Sequence, residues 1–146
     1  MGRKFIRDAE KQDMILVDTS VWIDFLRGKD SEHRYLLRRL IEKEEDICLT
    51  EIILTEILQG IRDDALYETT KEYLLEFPMI KPKGIETYIK AAEIFRKSRK
   101  QGMTIRKTID CIIAAIAQEN NLALLHNDSD FEVIKRFSGL RTVEVG

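Results

Sequence analysis

The chain has 146 residues, enough for one hydrophobic core and too few for two comfortable ones. Apolar residues make up 44% and charged residues 34%, which excludes a disordered chain, and seven Gly with two Pro exclude a collagen-like or linker-rich one. Lys and Arg total 24 against 26 Asp and Glu, a net charge of −2, so bulk positive charge is excluded as a means of binding nucleic acid, although local basic patches are not.

Residues 1–13 are polar, charged and aperiodic, with no apolar stretch that would make a secretory signal. They are expected to lie outside the core, which residues 14–146 form. Met14-Ile15-Leu16-Val17 is a short continuous apolar run, the pattern of a strand buried on both faces. It ends in Asp18-Thr19-Ser20, where Thr19 and Ser20 are expected to cap a helix carrying Val21, Trp22, Phe25 and Leu26 and stopped by Gly28. A second helix is predicted over 31–44, with Tyr35, Leu36, Leu37, Leu40 and Ile41 inward. Ile47-Cys48-Leu49 reads as the second strand, and Thr50 as the cap of a helix that ends at Gly60.

Asp63 or Asp64 opens a helix to about Glu76, and residues 78–82 are a short extended piece. An amphipathic helix is predicted over 85–100, broken by Gly102. Thr108 is expected to cap an Ala- and Ile-rich helix over 109–120, whose Ala114, Ala115 and Ala117 permit close backbone approach. Leu122 to Leu125 is a strand, 126–130 a polar turn, 131–137 a helix, and 141–145 alternates like a last edge strand. Strands alternating with helices predict an α/β fold with a mostly parallel sheet of four to five strands and helices on both faces. No apolar run reaches the ~18–20 residues of a membrane span. Cys48 and Cys111 lack metal-ligand spacing and read as buried free thiols of a cytoplasmic protein.

In a parallel sheet the ligand site lies beyond the carboxyl ends of the strands. That is where Asp18 and the Asp128/Asp130 pair fall. Glu56 interrupts an apolar stretch, and Asp110 sits between Ile109 and Cys111-Ile112-Ile113. Carboxylates beside a core are costly unless paired, and no basic residue lies near Asp18 or Asp128 in sequence. A hard cation would supply the missing charge. Mg²⁺ or Mn²⁺ suits carboxylate oxygens, and one or two such ions suit phosphodiester hydrolysis.

The stretch from Met14 to Asp24 resembles the opening of PIN-domain ribonucleases, in particular the VapC-type toxins of toxin–antitoxin pairs. Thr55-Glu56-Ile57-Leu58-Gln59-Gly60, Asp110-Cys111-Ile112-Ile113-Ala114-Ala115 and Asn127-Asp128-Ser129-Asp130-Phe131 resemble the family's three later motifs, in order. The resemblance runs from Met14 to about Val145. It implies a PIN-like fold and a metal-dependent endoribonuclease whose ligands are Asp18, Glu56, Asp110 and either or both of Asp128 and Asp130, Asp128 slightly ahead. Ser20 stands where many members have Asn; its hydroxyl is placed to orient Asp18 or a metal-bound water, with Thr19 beside it. The resemblance further implies structured RNA such as tRNA or rRNA as target, a homodimer and a cognate antitoxin. Some members instead process RNA.

The basic stretch Arg96, Lys97, Arg99, Lys100, Arg106 and Lys107 precedes Asp110. It reads either as a solvated helix end or as a phosphate grip, Arg106 and Lys107 being the nearest candidates. His33 and His126 support no nucleophilic triad, and His126 is expected to make a structural hydrogen bond. Trp22 reads as packing rather than base stacking. A phosphoacceptor receiver domain would want an acidic pair after the first strand and a Lys after a late one, which are missing. A non-catalytic RNA-binding module remains as the third class, disfavoured by the presence of all four acidic motifs.

Overall fold

The computed structural model describes residues 14–145; the expected arm, 1–13, lies outside the described residues. Four strands, β1 (Ile15–Val17), β2 (Ile47–Thr50), β3 (Met79–Ile80) and β4 (Ala123–Leu125), form one sheet in the order β3-β2-β1-β4. All pairings are parallel, with Ile15 opposite both Ile47 and Ala123, and Leu49 opposite Met79. Leu16, Val17, Cys48, Leu49, Leu124 and Leu125 are all buried. Successive strand residues point to opposite faces, so both faces of the sheet are covered, as the continuous apolar runs predicted.

Among the described residues seven helices supply the cover: α1 (Thr19–Arg27), α2 (Glu32–Glu42), α3 (Glu51–Gln59), α4 (Asp64–Leu74), α5 (Ile85–Lys100), α6 (Thr108–Glu119) and α7 (Ser129–Ser138). They pack in two groups, α1 against α2 and α3, and α5 against α6 and α7. Trp22 on α1 is fully buried, edge-on to Phe25, Tyr73 and Phe77 at 5.4–6.4 Å between centroids, a packing role as expected. Burial of a large apolar side chain contributes about 1.5–3 kcal/mol. Ala114, Ala115 and Ala117 are buried on α6, which packs chiefly on α5. No helix among the described residues is long and apolar enough to cross a membrane. Cys48 and Cys111 are buried free thiols.

Four local expectations are corrected. Asp18, not Thr19 or Ser20, caps α1, because it is the last extended residue (φ −70°, ψ 157°) and its side chain reaches the Ser20 N–H. Thr108 lies inside α6 and does not cap it; Lys107 holds that position with no capping side chain of its own. The terminal edge strand reduces to a single parallel bridge between Leu124 and Thr142. Tyr35, expected inward, is exposed. Gly28 does end α1, in the left-handed conformation (φ 67°) that a side chain would strain.

The chain leaves β1 toward β2 and β3 on one side, and β4 adds on the other. The sheet therefore reverses its order at β1, and a crevice opens beyond the carboxyl ends of β1 and β4. The Asp18 N–H donates to the Leu125 carbonyl over 2.9 Å, which locks these two strand ends together.

Candidate metal centre

Asp18 emerges from β1 at the crevice and is buried. Its Oδ2 accepts the Ser20 N–H (3.1 Å) and the Ser20 hydroxyl (2.6 Å). The same Ser20 oxygen accepts the Asn127 N–H over 3.0 Å, so one hydroxyl fixes Asp18 and the turn after β4. Burial raises the Asp18 pKa, against the pull of the Ser20 bonds. Thr19 Oγ1 donates to Glu56 Oε1 over 2.9 Å and orients that side chain from α3. The Glu56 pKa is raised by burial, with the Thr19 bond opposing and the Asp18 charge adding.

Asp110 projects from the first turn of α6 and is 2% exposed. Burial first, and the Asp18 charge second, push its pKa up to about 7. Its Oδ2 is buried and makes no hydrogen bond. Asp128 caps α7 by accepting the Asp130 N–H at Oδ1 over 3.0 Å. One oxygen each from Asp110, Asp128 and Asp130 lie within 4.8 Å of one another. Asp18, Glu56 and Asp110 together line a cavity of about 360 Å³ with Thr19, Ser20 and Lys107. The five expected acids thus converge, with Thr19 and Ser20 holding Glu56 and Asp18.

The basic pair of the expected phosphate grip is engaged with these acids. Lys107 Nζ lies 2.6 Å from Asp128 Oδ2 and 3.5 Å from Asp110 Oδ2. Arg106 spans Asp128 (Nη2, 3.0 Å) and Asp130 (Nε, 3.0 Å). Asp130 Oδ2 also accepts the main-chain N–H of Arg106 and of Lys107, at 3.1 and 3.2 Å. Burial works against the Asp128 charge, but the Lys107 bond and the nearby cations bring its pKa below the usual value.

Sequence separation of more than 20 residues hid the pairings with Asp128 and Asp130. It also hid a clip in which Asp24 Oδ2 accepts Asn127 Nδ2 (3.1 Å) and the Ser31 hydroxyl (3.3 Å). The one available signal was a buried acid on the apolar Val21–Phe25 stretch. His126 plays the structural part expected of it: Nδ1 accepts the Asp128 N–H (3.2 Å), Nε2 faces Glu132 (3.2 Å), and the ring packs on Phe131.

An all-oxygen donor set suits Mg²⁺ or Mn²⁺ better than softer metals. The buried Asp110 Oδ2 without a hydrogen bond is the feature that a cation would satisfy, so the residues fit such an ion. Residues 15–136 match the PIN domain family. The chain is 36% identical over 129 residues to ribonuclease VapC11 of Mycobacterium tuberculosis, covering 88% of this chain and 96% of that protein. The fold is similar to VapBC2 from Rickettsia felis (TM-score 0.70, 18% identity, 91% of this chain and 99% of that one). It is also similar to a toxin–antitoxin complex from Klebsiella pneumoniae (TM-score 0.66, 21% identity, 89% and 96%).

Proposed function

This chain belongs to the PIN-domain family, and from that premise we propose that it is a metal-dependent endoribonuclease, the toxin of a toxin–antitoxin pair. The observation that carries the reading is the buried Asp110 oxygen with no hydrogen bond, set among converging carboxylates. Asp18 and Asp110 hold Mg²⁺ or Mn²⁺, with Glu56 beside them and Asp128 at the margin. Asp130 acts as a scaffold, because three donors of the Arg106–Lys107 segment already occupy its oxygens. When bound, the ion lowers the pKa of water and offsets charge at the phosphate.

The protein's own groups do the rest. Ser20 fixes Asp18, and Thr19 pins Glu56 at Oε1, leaving Oε2 to take a proton from the attacking water. The raised Glu56 pKa favours that transfer. Structured RNA, tRNA or rRNA, is the substrate class. The cognate antitoxin covers the site, and the protein works as a cytoplasmic homodimer. The exposed Ile85, Tyr88 and Ile89, at helical spacing on one side of α5, support contact with a second copy.

Incubation of the purified protein with structured RNA tests the reading. Cleavage is expected with Mg²⁺ or Mn²⁺ and none with chelator. Equal cleavage with chelator, or none under any metal, contradicts it.

A further inference from the structure

The five carboxylates are not equally open to a ligand. Asp130 and Asp128 each accept three hydrogen bonds from the chain, chiefly from Arg106 and Lys107. Asp110 Oδ2 accepts none. The Lys107 ammonium stands between the two groups, 2.6 Å from Asp128 and 3.5 Å from Asp110. We propose that Lys107 supplies the second positive charge of the site, so that a single divalent ion works beside this ammonium rather than beside a second ion.

The inference rests on the metal-site reading above and deepens it. The Lys107 side chain is 49% exposed, so it faces the carboxylates and the solvent side from which RNA arrives. Its main-chain N–H is tied to Asp130 over 3.2 Å, which holds the base of the side chain in place. A second ion at Asp128 would have to displace the ammonium from its 2.6 Å contact. In the loaded enzyme Lys107 faces a phosphate oxygen and offsets the charge that builds up there, as a preorganised donor does.

Counting bound Mn²⁺ by electron paramagnetic resonance, without RNA, tests this apart from activity. Wild type is expected to bind one ion per chain, and Lys107→Met a second ion, or the same ion at least tenfold more tightly. At Mn²⁺ concentrations that fill only the first site, Lys107→Met should lose on the order of 100-fold in kcat with little change in KM, and Lys107→Arg should recover part of it. Two ions in wild type overturn the inference and leave the metal-site reading standing, a result that does not depend on the variant folding. Lys107→Met with unchanged Mn²⁺ binding and wild-type cleavage overturns it as well. Absence of Mn²⁺ binding in wild type, or undiminished binding in Asp18→Asn, overturns the metal-site reading itself.

Discussion

The Asp130 carboxylate closes on the segment ahead of α6, its Oδ2 accepting the Arg106 main-chain N–H over 3.1 Å and its Oδ1 the Arg106 Nε over 3.0 Å. A buried acid in α7 thereby fixes the backbone that leads into a helix whose own cap position lacks a capping side chain. It also sets the position of Arg106 and Lys107 against Asp128. Asp130→Ala should therefore act on stability first. Two main-chain N–H groups lose their acceptor, at a cost of about 1–3 kcal/mol. Chemical denaturation of the metal-free protein checks this; an unchanged midpoint would return Asp130 to the ligand set.

The pH dependence follows from Asp110. Its folded pKa, about 7, exceeds its ordinary value of 3.8, so the folded state binds the proton more tightly than the unfolded state. This contribution is fully present below about pH 4 and is lost as pH rises through about 7. Asp18 and Glu56, also raised, act in the same direction. Asp128, lowered, acts oppositely, and its contribution is lost only as pH falls below its ordinary 3.8. Melting in chelator at pH 5.5 and pH 8 should favour wild type at the lower value by a wider margin than Asp110→Asn. Equal margins would contradict the assigned cause.

Thr19 tests the orientation of Glu56. Thr19→Val keeps the shape and removes the 2.9 Å hydrogen bond. The loss in melting should be modest, about 0.5–1.5 kcal/mol, since Glu56 is half-buried. Cleavage should fall by more than that energy converts to, because proton transfer depends on the position of Glu56. A fall in stability with wild-type cleavage would make the bond purely structural.

Local patterns carried much of this molecule. The apolar runs ending in Asp18 and Leu125 placed the strand ends, and α5 spans the predicted 85–100. The acids stood out because Glu56 and Asp110 broke apolar stretches. Contacts that join distant segments were not legible. Lys107 and Asp128 lie 21 residues apart, so the candidate phosphate contact and the expected ligand gave no sign of being one ion pair. The bonds that fix the segment ahead of α6 were hidden for the same reason, since Asp130 comes from another helix. The alternation over 141–145 predicted a strand where pairing stops at Thr142, because alternation reports burial and not the number of ladder bonds.

Asp18→Asn and Asp110→Asn, each measured for metal-free melting and for RNA cleavage in the same preparation, test the central claim most directly. Both changes keep the shape and remove one charge from a cluster whose members repel. The metal site predicts melting temperatures equal to or above wild type in chelator. It also predicts loss of the stabilisation that Mg²⁺ or Mn²⁺ gives wild type, and cleavage lower by orders of magnitude. Variants that melt lower, still respond to metal and still cut RNA would contradict it.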